Sequence, residues 1–252
     1  MSLFSRIAIV TGATSGIGEA IAKKFVTHGF GVVGNGRNRV KLASLQEEMG
    51  QAFIGVSGDA AETLVLDELF VKTKEHFGRE ADIVVANAGR GLVGSVKDAD
   101  LSPLADMLKI NLTGTLLLLQ RAAQRMVEKG SGTFPTVPKD IVIIGSVVGR
   151  HISPFSAIYS ATKFAVHALA EGLRRELGPQ GIRVSLVEPG FVLSGFQDRA
   201  GFSPEMVKML KEKFGPLLRP EDVADAVHYI VTRPPYVHIS DIIVRPTRQD
   251  YP

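Results

Sequence analysis

Tyr159 and Lys163 stand four positions apart, Ser146 precedes the tyrosine by 13, and Thr11-Gly12-Ala13-Thr14-Ser15-Gly16-Ile17-Gly18 runs near the N-terminus. On a helix, residues four apart share a face, so this spacing can set an ammonium beside a phenol. A phenol titrates near about 10, and an adjacent cation favours its ionised form, bringing proton transfer closer to neutral pH. A proton donor tuned in this way, next to a glycine-rich anion loop, points to hydride transfer at a carbonyl.

Such groups need elements to hold them. Short β-branched runs alternate with helix-length segments along the whole chain, at 7–10, 31–34, 52–56, 82–86, 140–144, 183–187 and 238–244. Strands apolar on both faces suit a parallel sheet covered on both sides by helices. Right-handed crossovers then predict an α/β fold: a single Rossmann-like, doubly wound parallel sheet of about seven strands in a three-layer αβα sandwich. Residues 1–252 are expected to form one dinucleotide-binding and catalytic domain, since no linker, repeat or low-complexity tract divides them. The segment 130–139 carries two glycines and two prolines and reads as a long loop entering the fifth strand at its N-terminal end. Ligands of such sheets bind at the carboxyl ends, so this loop is expected opposite the chemistry.

Composition removes several alternatives. The chain has no cysteine, which excludes disulfides, thiolate metal sites and a cysteine nucleophile. Its net charge of +3 comes with no basic run interleaved with aromatics, so no nucleic-acid partner is expected. Apolar runs such as 116–119 and 141–144 fall far short of the about 20 residues that cross a bilayer. The N-terminus reads as carrying no signal peptide, which makes the cytoplasm the expected compartment.

The glycine loop follows an apolar strand and opens a helix, the context in which such a motif binds a dinucleotide. Glycines let the backbone approach a pyrophosphate, and free N–H groups at the helix start favour its charge. The end of the second strand selects between cofactors: a carboxylate holds a ribose 2′-hydroxyl, an arginine a 2′-phosphate. Here Gly34-Asn35-Gly36-Arg37-Asn38-Arg39 contains no acid, so Arg37, with Asn38 beside it and Arg39 as the weaker candidate, points to NADPH over NADH.

With these motifs stand Asp59 after the third strand, Asn87-Ala88-Gly89, Asn111 and Pro189-Gly190, all in register. In this order the chain resembles a short-chain dehydrogenase/reductase from Arg6 to Val244. The resemblance implies NADP(H) as cofactor and a catalytic set of Asn111, Ser146, Tyr159 and Lys163. Tyr159 would be the general acid in reduction and the base in oxidation. Lys163 would lower its pKa and hold the nicotinamide ribose, Ser146 would bond the substrate oxygen, and Asn111 would hold a water linking Lys163 to solvent. Cofactor contacts would come from Gly12, Ser15, Gly16, Ile17, Gly18, Arg37, Asn38, Asp59, Ala60, Asn87, Ala88, Gly89, Pro189, Gly190, Val192 and Ser194. Two departures are visible: Ser194 stands where the family has threonine, and Gly145-Ser146 replaces its frequent Ser-Ser pair.

The substrate pocket should be lined by 90–92, 147–155 and 191–202. Phe155, Phe191 and Phe196 suggest an apolar site, while Arg90, Arg150 and His151, with two arginines in the tail 245–252, could bind an anionic group. The expected substrate is a small aldehyde or ketone, or its alcohol, bearing a carboxylate or sulfonate, of the 3-hydroxy acid or sulfonated aldehyde type. The alternatives are a reductase of carrier-bound 3-oxoacyl groups and a non-catalytic NADP-binding sensor. Leu/Ala-rich segments at 103–127 and 156–177 resemble the helix pairs that build family tetramers, so a homotetramer is expected.

Overall fold

Seven strands line up in one sheet with every neighbouring pair parallel. The computed structural model describes residues 3–130 and 134–251. The strands are β1 (Ile7–Val10), β2 (Gly31–Gly36), β3 (Phe53–Ser57), β4 (Ile83–Ala86), β5 (Lys139–Ile144), β6 (Ile182–Pro189) and β7 (Asp241–Val244), ordered β3-β2-β1-β4-β5-β6-β7. The winding reverses between β1 and β4, which opens a crevice at their carboxyl ends. The helices are α1 (Gly16–Thr27), α2 (Arg39–Met49), α3 (Thr63–Phe77), α4 (Leu104–Leu108), α5 (Thr115–Gly130), α6 (Ala157–Leu177), α7 (Phe196–Ala200), α8 (Pro204–Phe214) and α9 (Pro220–Val231).

The sheet divides the core in two. One face packs Ile21, Phe25, Leu42, Leu45, Val223 and Val227 of α1, α2 and α9 against the strands. The other packs Leu66, Leu69, Leu118, Ala122, Val166 and Ala170 of α3, α5 and α6. This is the three-layer, doubly wound, Rossmann-like arrangement that the apolar runs anticipate.

Two boundaries differ from the sequence reading for local reasons. Strand β2 continues through Asn35, whose buried Nδ2 donates to the carbonyls of Val56 at 3.1 Å and Gly58 at 3.2 Å, so a polar residue extends a strand that its composition would end. The helical run after Pro103 is broken by a π-turn over Lys109–Gly114, an irregularity that tends to mark functional sites. Within 130–139, Ser131, Gly132 and Thr133 lie outside the described residues; Phe134 packs on Gly181, beside the N-terminal end of β6, away from the crevice.

At that same N-terminal end the strands are tied by buried charge. Arg183 grips Asp140 with Nε at 2.7 Å and Nη2 at 2.9 Å, and Arg6 reaches the same carboxylate at 2.8 Å. Asp82 receives Arg79 at 2.7 Å, Lys139 at 3.0 Å and the N–H of Ile7 at 3.0 Å.

Candidate active site

The turn after β1 is shaped around its glycines. Gly12 and Gly16 adopt φ of 68° and 54°, a region that favours glycine. A side chain at Gly18 would strike the Gly12 carbonyl, which lets α1 begin directly against the loop. Thr11 fastens the loop to the turn after β4: its hydroxyl accepts the N–H groups of Asn87 and Ala88, both at 3.1 Å. Asn87 returns the tie, its Nδ2 donating to Thr11 O at 2.8 Å, so at least part of its role is structural.

Ser15 is the N-cap of α1 but its side chain makes no capping bond, leaving first-turn N–H groups directed at the crevice. The Ser15 hydroxyl instead accepts from the Arg199 guanidinium at 3.2 Å, reaching over from α7. Ser194, from the same segment, lies opposite Gly16, its hydroxyl accepting the N–H of Phe196. Arg199 is a residue the sequence reading missed; a lone arginine beyond Pro189-Gly190 carries no local signal of where it will reach. An uncapped helix start facing a guanidinium is chemistry that fits a diphosphate.

At the far end of this crevice, Gly36 presses on Thr14, and Arg37 follows it, exposed and without hydrogen bond or ion pair among the described residues. Asn38 caps α2, its Oδ1 accepting the N–H of Lys41 at 3.0 Å. Asp59 is turned inward on its own loop, accepting the N–H of Ala61 at 3.0 Å, and Ala60 is buried beside Gly114.

The reacting groups converge past β4, β5 and β6. Ser146 leaves β5 in extended conformation, its Oγ accepting the N–H of Val148 at 3.4 Å, and its side chain stands near the hydroxyl of Tyr159 on α6. Lys163 lies one turn along the same helix face. The ammonium donates to the Ile144 carbonyl at 2.8 Å and lies over the Tyr159 ring, 5.8 Å from its centroid. Burial pushes Tyr159 above its ordinary value, with the nearby Ser146 hydroxyl working against that, and burial alone brings Lys163 down to about 8.

The Asn111 side chain is buried in the π-turn and bonded to protein: Oδ1 accepts the Arg90 N–H at 2.8 Å, while Nδ2 donates to Arg90 O at 2.8 Å and Thr162 Oγ1 at 3.0 Å. Its carboxamide thus anchors the Arg90 wall of the pocket to α6.

Around Tyr159 the three expected walls do meet. Gly94 N donates to Phe155 O at 2.7 Å, Val93 N to Ala200 O at 3.1 Å, and Gly91 makes room for the Phe196 ring. Phe196 packs on Tyr159 with ring centroids 5.8 Å apart. Phe191 instead stacks on Phe214 at 5.5 Å and pins its loop to α8, and Phe155 and His151 are exposed. Arg150 is not available as an anion clamp. Its Nε and Nη2 grip the fully buried Glu188 at 2.6 and 2.7 Å, with Asp241 at 3.5 Å. Among the described residues the Arg90 guanidinium has only a 3.4 Å contact, to the exposed Asp106. The C-terminal tail folds on its own chain: Gln249 Oε1 accepts the Phe191 N–H at 3.0 Å beside Gly190, and Tyr251 donates to the Ile152 carbonyl.

Among the described residues no helix is long and apolar enough to cross a membrane, and no group of three or more histidines and acids is placed to hold a metal. A family model described as short chain dehydrogenase matches residues 6–201. An uncharacterised oxidoreductase of Staphylococcus aureus (strain MW2) is 36% identical over 245 residues, covering 97% of this chain and 98% of the relative. The closed form of a serine dehydrogenase complexed with NADP+ superposes with a TM-score of 0.88 at 28% identity, covering 97% of this chain and 96% of that one. A 3-ketoacyl-(acyl-carrier-protein) reductase of Brucella melitensis complexed with NADH does so with a TM-score of 0.86 at 25% identity, over 98% and 99%.

Proposed function

The chain belongs to the short-chain dehydrogenase family and is an oxidoreductase, and from that premise we propose an NADPH-dependent enzyme that interconverts a small aldehyde or ketone with its alcohol. The observation that carries this is the convergence of Ser146 and Tyr159 at the carboxyl edge of the sheet, with Lys163 on the same helix face as the tyrosine. When bound, the nicotinamide cofactor would supply or take up the hydride. Gly12, Gly16, Ile17 and Gly18 admit its diphosphate, Ser15, Ser194 and Arg199 border it, and Arg37 takes the 2′-phosphate. Lys163 holds the nicotinamide ribose. In reduction Tyr159 gives its proton to the substrate oxygen, and the burial that keeps the phenol protonated at neutral pH suits a donor. Ser146 donates to the same oxygen as charge gathers there.

The substrate class is narrower than any carbonyl. Serine is itself a 3-hydroxy acid, and the likeness to a serine dehydrogenase supports an anionic hydroxy acid or its carbonyl counterpart. With Arg150 held by Glu188, Arg90 is the remaining anion-binding candidate at this wall. The likeness to a 3-ketoacyl reductase supports carrier-bound 3-oxoacyl groups as the second reading. A carbonyl panel followed by NADPH absorbance separates the two. Tyr159→Phe should lower kcat by about 10³-fold, within the usual worth of a general acid, with NADPH affinity retained. Unchanged turnover in that variant would remove Tyr159 from the chemistry, and NADPH binding without turnover of any carbonyl would favour a sensor. Leu116 and Phe164, exposed on α5 and α6, support a homotetramer, which sedimentation at four times the 27.1 kDa chain mass would establish and a monomer mass would exclude.

A further inference from the structure

One turn beyond Lys163, on the helix that carries Tyr159, His167 fills the space behind the catalytic serine. A Cβ built on Gly145 would lie 2.5 Å from His167 Nε2, and one on Gly149 would also collide with the ring. The imidazole therefore occupies the volume that side chains at 145 and 149 would need, which gives a physical reason for glycine before Ser146. Its Nε2 accepts the backbone N–H of Ser146 at 3.4 Å. Its Nδ1 faces Glu188 Oε2 at 3.8 Å, and Glu188 is in turn gripped by Arg150. Burial, with the charges of Lys163 and Arg150, brings His167 down to about 4. The ring is thus neutral near pH 7, and a lone pair on Nε2 puts its proton on Nδ1, toward the carboxylate.

We propose that His167 is a positioning residue for the reaction: by holding the Ser146 N–H it sets where the Ser146 hydroxyl stands against Tyr159, backed by Glu188 and Arg150. One helix thereby carries both the proton donor and the group that locates its partner. The inference rests on the proposed reductase activity for its effect on rate, but the bond itself is testable without turnover.

Protein labelled with 15N-histidine should show His167 as the neutral Nδ1–H tautomer at pH 7, and an Nε2–H tautomer would overturn the proposal. His167→Leu, close in volume but without an acceptor, should lower kcat by about tenfold, the scale of one hydrogen bond, with NADPH affinity unchanged. His167→Gln, whose side-chain carbonyl can reach the Nε2 position and accept the same N–H, should recover most of that loss. In a Ser146→Ala background His167→Leu should have no further effect on kcat. An equal loss in both backgrounds would mean a merely structural role and would sink the idea. A wild-type protein with no NADPH-linked carbonyl activity would defeat the functional reading instead, while the tautomer would still decide the bond.

Discussion

Burying an ammonium opposes folding for as long as it stays charged. Lys163, brought down to about 8 from an ordinary 10.5, gives up its proton in the folded protein before the unfolded chain does. Between those values the unfolded state binds more protons, so stability rises with pH; below about 8 both states are charged and the full burial cost is present. His167 has the same sign in a lower window, from about 4 to 6.5. Tyr159 has the opposite sign, because its raised value lets the unfolded chain ionise first, and stability falls above about 10. Urea midpoints at pH 8 and pH 9.5 should therefore show the wild type gaining on Lys163→Met, which cannot titrate. Parallel changes in the two proteins would show that Lys163 is not desolvated as described.

At the scale of elements, the proposed preference for NADPH rests on the end of β2. Arg37 stands there exposed and unpartnered among the described residues, with no acid on the strand to repel a phosphate. Arg37→Asp should shift the kcat/KM ratio of NADPH to NADH by about 10- to 100-fold toward NADH, as expected for losing charge-assisted hydrogen bonds. An unchanged ratio would remove Arg37 from the site. Much of this element-level architecture is legible from sequence, because a strand buried on both faces writes an unbroken apolar run and a glycine loop between strand and helix writes its own spacing. Asn35 hides the end of β2, since the bonds that satisfy it come from β3 and the loop beyond it, residues distant in the chain. Arg150 illustrates the converse: its position after Ser146 suggests a substrate contact, and only the fold brings Glu188 to take it. Arg199 and His167 were invisible for the same reason, their partners lying 184 and 21 residues away.

For the molecule as a whole, the two ends of the sheet carry different burdens. Asp140 is nearly fully buried between Arg183 and Arg6, and removing it would leave two guanidinium groups inside without their counterion. Asp140→Ala should cost about 3–5 kcal/mol of stability, read by urea denaturation. Ser146 lies at the opposite end of β5, about 20 Å along the strand at the usual rise, so kcat/KM of the folded fraction should stay unchanged. A loss of turnover without a loss of stability would contradict that separation. Because the frame is clamped at its foot, the rim needs little from its own contacts to keep the sandwich of helices and sheet upright. Segments such as 191–202 are therefore the places where descent can rewrite what the molecule accepts, one loop at a time, without endangering the frame beneath.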